Sequence, residues 1–248
     1  MCHRWAKQHN LPVNADKSCA MTFTGLCRSP GAPALTFGDR EIRHVSSVTV
    51  LGVELDARLS FATHVHRTVA KSSRMLGFVA RTTTGMPPNA FRLLYTALVL
   101  PCLEYCSAIW LPHSAALRAR LASVQRRAAC TYYSHSTPLA LRLSYTQATT
   151  EGLLRFALWH TLASRVQAAT TRLLCRLLAP GHQELVDAPR LNNRTARLQP
   201  LLTRTARHAS SWLPRAVALW RQLPPELTQT FPPDCHDLGP ILKAVQHV

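Results

Sequence analysis

Acidic side chains are what this chain lacks most: twelve Asp and Glu stand against twenty-nine Lys and Arg, and no two acids are adjacent anywhere in 248 residues. The closest acidic pairs are Asp39-x-Glu41 and Glu54-x-Asp56. Side chains two apart in a strand share a face, so a metal site there is conceivable, but solvated strand ends or loop residues account for both pairs more simply. Zinc is excluded on spacing. The eight cysteines lie at 2, 19, 27, 102, 106, 130, 175 and 235, without a Cys-x-x-Cys pair or a Cys/His knuckle. Cys2-His3, Cys235-His236 and His64-x-His66 read as incidental, and Cys102-x-x-x-Cys106 as two small thiols on one face of an apolar helix. Reduced intracellular cysteine is the default for such a pattern. The first fifteen residues are polar, so no signal peptide is read. No internal repeat or low-complexity tract is found. The longest apolar stretch, Leu93 to Leu111, carries Pro101 and Glu104 inside and Arg92 at its edge, which marks a buried core helix rather than a membrane span.

What is abundant is positive charge. The net charge of +17 and pI near 10.6 are unevenly spread. Residues 61–130 carry nine Lys and Arg against one acid and residues 131–222 carry twelve against three, whereas residues 1–60 carry seven against five. Basic charge concentrated in the middle of the chain points to a polyanion, with nucleic acid ahead of an anionic membrane surface. Arg far outnumbers Lys, and a guanidinium grips phosphate through two parallel hydrogen bonds.

Periodicity gives an α+β chain. Short strands are expected at 18–24, around 35–37 and at 47–55, the last as one buried strand from Val48 to Leu55, with Pro30-Gly31-Ala32-Pro33 forcing a turn between them. From Phe61 the period becomes helical. Phe61, Val65, Val69, Ser72, Leu76 and Val79 define an apolar face, and His64, Arg67, Lys71, Arg74 and Arg81 a basic one. Met86-Pro87-Pro88 ends this helix and Asn89 is placed to cap the next, which Pro101 kinks or divides. A third helix over 115–130 turns Leu117, Leu121 and Val124 inward and spreads Arg118, Arg120, Arg126 and Arg127 over its remaining surface. Residues 151–178 form one long or two shorter helices ended by Pro180-Gly181. Arg190, Arg194, Arg197, Arg204 and Arg207 lie in a less regular stretch, Trp212 and Trp220 flank a short helix, and residues 225–248 are Pro-rich and acidic, a disordered tail.

Several motifs carry a resemblance. Val48-Thr49-Val50-Leu51-Gly52-Val53-Glu54-Leu55-Asp56 is followed by Leu59-Ser60-Phe61 and His64; upstream stand Trp5, Asn10-Leu11, Asn14, Lys17-Ser18 and Met21-x-Phe23. Downstream come Leu94-Tyr95-x-x-Leu98-Val99-x-Pro101-x-Leu103-Glu104-Tyr105-Cys106-Ser107-Ala108-x-Trp110, then Val124-Gln125-Arg126-Arg127, then Ser211-Trp212-Leu213-Pro214-Arg215-Ala216-x-x-Leu219-Trp220-x-x-Leu223-Pro224. In this order, over most of residues 1 to 224, they resemble the end of the palm, the thumb and the C-terminal region of reverse transcriptases of non-LTR (LINE-type) retrotransposons.

The resemblance implies a small β-rich palm remnant at 1–60, a helical thumb-like region at 61–135, a helical C-terminal region at 136–224 and the tail at 225–248. In that family the metal-binding carboxylates lie in a Phe/Tyr-x-Asp-Asp turn and an earlier strand, both before the matched region, so the isolated chain is expected to be a truncated fragment without polymerase activity. No cofactor is expected; Mg²⁺ would belong only to a full-length parent polymerase. The family's thumb holds the template–primer duplex by its backbone, which assigns phosphate contacts to Arg67, Lys71, Arg74 and Arg81, then to Arg126 and Arg127. Resemblance also assigns Lys17 to a palm lysine beside the incoming nucleotide, a vestigial role here. Trp110 and Tyr105 have rings that could stack on bases, but their apolar neighbours favour core packing. Expected partners are RNA or DNA bound through the backbone, and a complementing palm-containing chain; no membrane is expected, and the chain is placed inside the cell, in nucleus or cytoplasm. A retained nucleic-acid-binding module and a protein-interaction subunit without activity are the alternative readings.

Overall fold

The computed structural model describes residues 5–6, 8–11, 14–23, 34–37, 40–138, 148–178, 198–228 and 238–245. The chain divides into two units, Met1–His64 and Val65–Val248. The turn at Pro30–Pro33, the break at Pro180-Gly181, and Arg190, Arg194 and Arg197 lie outside the described residues.

The first unit is built from local hydrogen bonding more than from a core. The Asn14 side-chain oxygen accepts the N–H groups of Asp16 (2.9 Å) and Lys17 (3.2 Å), and the Ser18 hydroxyl donates to the Asn14 carbonyl (2.9 Å). This Asx-type turn folds Ala15–Lys17 into one 3₁₀ turn and delivers the chain into β1 (Cys19–Ala20). Strand β1 runs parallel to β4 (Arg43–His44), and β2 (Thr36–Phe37) pairs antiparallel with β3 (Arg40–Glu41). The segment expected as one strand is a hairpin. Strand β5 (Ser47–Val50) turns back into β6 (Val53–Asp56), Ser47 opposite Asp56 and Val50 opposite Val53. Leu51 and Gly52 both have positive φ, 48° and 81°, as a two-residue loop matched to strand twist requires. Gly52 therefore reverses the chain. Only β6 faces inward, with Val53 and Glu54 buried, while β5 is mostly exposed.

Asp56 then sets up the helix that follows the hairpin. Its carboxylate accepts from the N–H groups of Arg58 (3.0 Å), Ser60 (3.1 Å) and Phe61 (2.8 Å) and from the Ser60 hydroxyl (3.1 Å). These bonds hold Leu59 and Phe61 at positive φ, 50° and 56°, conformations that cost non-glycine residues roughly 1–2 kcal/mol each. Burial alone would raise the Asp56 pKa; the four donors outweigh it and hold the carboxyl below its ordinary value. Helix α1 (Ala62–Thr82) follows.

In the second unit α1 buries Val65, Ser72, Leu76 and Val79, with Val69 half-buried. Gly85 (φ 77°) turns the chain into α2 (Pro88–Leu94). Pro88, not Asn89, opens that helix: a proline in the first turn gives up an N–H that would have had no partner anyway, so Asn89 lies one step too far in to cap. Pro101 expresses itself as a widened turn. Tyr95–Val99 is π-helical, the Leu100 N–H reaching back five residues to the Tyr95 carbonyl, before α3 (Leu100–Glu104) continues. Cys106, at φ 53°, then separates α3 from α4 (Ser107–Trp110). Cys102 and Cys106 consequently do not share one helix face, and the Cys102 thiol donates to the Leu98 carbonyl (3.3 Å).

Helix α5 (Ala115–Ser136) buries Leu121, Val124, Ala128 and Ala129 and leaves Leu117 half-buried. Thr149 caps α6 (Thr150–Ala157) through the Gly152 N–H (3.1 Å), and Leu158, at φ 54°, divides it from α7 (Leu162–Leu178). Buried Gln125 spans that break, its amide donating to the His160 carbonyl and accepting from the Leu162 N–H, both at 2.8 Å. The C-terminal helices are α8 (Ala206–Ala209), α9 (Trp212–Gln222) and α10 (Gly239–Val245). Helix α10 lies within the stretch expected to be a disordered tail; Ile241 and Val245, four apart, are buried with Leu174, Leu178, Val217 and Trp220. A second apolar group joins α5 to α6, where Trp159 stacks on Tyr95 (centroids 4.4 Å) and meets Tyr132 (5.5 Å). Among the described residues no helix is long and apolar enough to cross a membrane.

Candidate nucleic-acid interface

Arg67, Lys71, Arg74 and Arg81 are all exposed on α1. Their spacings of four, three and seven place them within an arc of about 80° at 100° per residue. The stripe is opposite the buried face and loses one member: His64 is 7% exposed, and its Nδ1 accepts the Glu54 N–H (3.3 Å). It acts as a neutral acceptor in the packing of the hairpin, a role its periodic position could not disclose.

Helix α5 adds cations to this surface and withholds one. Arg127 is exposed and donates to the Ser73 hydroxyl on α1 (2.6 Å), one residue from Arg74, and Arg120 is exposed two helical turns earlier on the same side. Arg126 points about 100° away. Its guanidinium donates to the Thr150 hydroxyl (2.8 Å) and the Ala148 carbonyl (3.1 Å), tying α5 to the start of α6. The sequence pairs these neighbours; the structure splits them between surface and scaffold.

Other arginines serve as braces. Arg215, from the Ser211-Trp212-Leu213-Pro214-Arg215 motif, donates to the carbonyls of Ser210 (3.0 Å) and Ala108 and lies 3.5 Å from the Thr170 hydroxyl, joining α9, α4 and α7. Burial, with Arg118 nearby adding to it, pushes its pKa down to about 10. Arg118 donates to the carbonyls of Pro112 (3.1 Å) and His113 (2.8 Å). Both line an apolar cavity of about 430 Å³ with Leu121, Val166 and Leu219. Arg165 forms a two-pronged pair with Glu104, which raises its pKa. Trp110 is buried with its ring N–H on the Tyr105 carbonyl (2.6 Å), a core residue, while Tyr105 itself is half-exposed.

Lys17 belongs to the first unit, exposed at the end of the Asn14 turn. Asp16 beside it pairs with Arg40 (2.9 Å). The acids of β6 do not form a polymerase metal site: Asp56 is committed to the turn and Glu54 is buried. Among the described residues no three His, Cys, Asp or Glu side chains come together to hold a metal. One residue that the charge pattern passes over is Phe78, 50% exposed between Arg74 and Arg81. Its spacing of four and three from those arginines is the signal by which the sequence could have shown it.

No family model matches the chain, and no solved structure does. It is 27% identical over 116 residues to the retrovirus-related Pol polyprotein from type-1 retrotransposable element R1 of Bradysia coprophila, an alignment covering 44% of the chain and 11% of the relative. It is 28% identical over 127 residues to a putative 115 kDa protein in type-1 retrotransposable element R1DM of Drosophila melanogaster (49% and 12%). It is 30% identical over 109 residues to the RNA-directed DNA polymerase from mobile element jockey of the same fly (41% and 11%). The chain thus matches only 11 to 12% of the length of these relatives. These alignments, which agree with the order of the motifs, show that the chain carries a region related to the reverse transcriptases and polyproteins of non-LTR retrotransposons.

Proposed function

We propose that this chain is a non-polymerising reverse transcriptase fragment whose helical unit binds RNA or DNA through the phosphate backbone without reading sequence. The observation that carries the reading is the exposed row Arg67, Lys71, Arg74 and Arg81 on one side of α1, extended by Arg127 through Ser73. Cations at this spacing meet successive phosphates, and nothing in the row is suited to reading base edges. We do not assign polymerisation, because the chain has no adjacent acidic pair, the Asp56 carboxylate is committed to the turn before α1 and Glu54 is buried. Primer extension by this chain with Mg²⁺ or Mn²⁺ should give no product.

Binding is tested by titrating a labelled duplex at several salt concentrations. Affinity should fall linearly with log salt and be insensitive to sequence, and Lys71→Ala with Arg74→Ala should flatten the slope by about two units. An unchanged slope would remove the stripe from the interface.

A second reading, docking on a palm-containing chain, is favoured by the first unit. Each of its described sheets has two strands, and Val50 and Leu51 at the hairpin tip are 48% and 85% exposed. Open edges beside exposed apolar residues invite pairing. A monodisperse monomer at micromolar concentration would count against that reading.

A further inference from the structure

We propose that Phe78 is a base-stacking platform, so that the α1 face takes unpaired nucleic acid in preference to continuous duplex. The inference rests on the backbone-binding reading above and deepens it. Phe78 is half-exposed on the same side of α1 as the cations, one turn beyond Arg74 and one turn before Arg81. Gly77 shapes the surface beside it. A Cβ at residue 77 would lie 3.4 Å from the Arg81 Nη1, so the exposed Arg81 guanidinium reaches back over Gly77, the chain neighbour of Phe78.

Phe156, exposed to a similar degree, is differently placed. It leans on Tyr132 and Tyr133 (centroids 6.1 and 5.2 Å), whereas among the described residues no ring packs on Phe78. A half-exposed ring between two guanidiniums, on a face already suited to phosphate, offers the two contacts that a single strand provides together: a π face and a charge a few ångströms away. A duplex keeps its base faces stacked internally and supplies only the phosphates. The ring therefore adds affinity for unpaired strands alone, and because every base has a π face the added affinity is indifferent to sequence.

The experiment titrates the full chain against a single-stranded oligonucleotide carrying 2-aminopurine, and against the same sequence as duplex, each at several salt concentrations. The wild type should bind the single strand more tightly and change 2-aminopurine fluorescence on binding. Phe78→Ala should weaken single-strand binding about five- to tenfold, the low end of a base–aromatic stack, while duplex affinity and both salt slopes stay unchanged. Phe78→Leu, which keeps the apolar bulk and the fold but loses the ring face, should behave like Phe78→Ala, and Phe78→Trp should bind at least as tightly as wild type. Wild-type affinity in Phe78→Leu, or equal losses on single strand and duplex, overturns stacking. Salt-dependent binding that ignores strandedness and Phe78 sinks the platform and spares the backbone interface; absence of salt-dependent binding to either probe sinks both.

Discussion

The basic residues of α1 and those at the junction of α4, α7 and α9 are the same chemical group in two employments. On α1 a 21-residue helix uses its own carbonyls along its length, and its cations stand on an exposed face. At the junction, short helices and breaks leave carbonyls without helical partners, and arginines take them: Arg215 at Ala108, Arg118 at Pro112 and His113; Arg126 does the same at Ala148, where α5 meets α6. Whether a guanidinium is scaffold or surface follows from the regularity of the backbone it overlies, not from local charge density. A net charge of +17 therefore overstates the charge available to a polyanion.

Removing a brace should cost stability and little else. Arg215→Ala strands the Ser210 and Ala108 carbonyls in a half-buried joint of three helices and should lower unfolding free energy by about 3 kcal/mol, read from the urea midpoint by circular dichroism. Arg215→Lys should recover only part of it, since an ammonium cannot replace the planar fork. Arg126→Ala should cost about 1.5 kcal/mol through Thr150 and Ala148, with the salt slope of nucleic-acid binding unmoved. A flatter slope in Arg126→Ala with unchanged stability would move Arg126 from scaffold to interface.

The sequence makes one side of this division legible and hides the other. The α1 stripe is visible because a long uninterrupted helix obeys a 3.6-residue period, and the helix over 115–136 gives up Leu121 and Val124 for the same reason. Period fails where the backbone leaves the helix. Cys106 at φ 53° and Leu158 at φ 54° are not residue types that announce a left-handed turn, so the joints around α4 and between α6 and α7 are unreadable in advance. Leu51-Gly52 hides a hairpin inside a run of apolar residues because β6 supplies the inner face by itself. Adjacent Arg126 and Arg127 differ by 100° of helix rotation, which sequence shows, and by the presence of Ala148 and Thr150 under one of them, which it does not. The motifs around Lys17 and Asp56 gain a physical meaning only once Asn14 and Asp56 are seen gathering N–H groups at turns.

A smaller effect separates the entry to α1 from its exposed face. Asp56→Ala should cost about 1 kcal/mol by releasing the turn that starts the helix. Its folded pKa lies below the ordinary value, so between the two the unfolded chain binds more protons. The contribution of Asp56 is present above the unfolded pKa and is lost as pH falls through the folded one. Below about pH 5 the wild type should lose stability more steeply than Asp56→Ala. Parallel acid limbs for the two proteins would show that the carboxylate does not carry the turn.

The smallest change in stability is the most informative for the comparison, because Arg127 stands between the two employments. It has a partner, Ser73, but that partner is a side chain on an exposed surface, not a stranded carbonyl. A phosphate offers a guanidinium two charged acceptors where Ser73 offers one neutral oxygen, so nucleic acid should draw Arg127 away from Ser73 at little cost. Arg127→Ala should then change unfolding free energy by less than about 0.5 kcal/mol while lowering the salt slope by about one unit. Ser73→Ala should leave the slope intact, since it removes only the resting contact. If Arg127→Ala instead destabilised as much as Arg126→Ala and left the slope alone, Arg127 would be a third brace, and the interface would shrink to the four cations of α1.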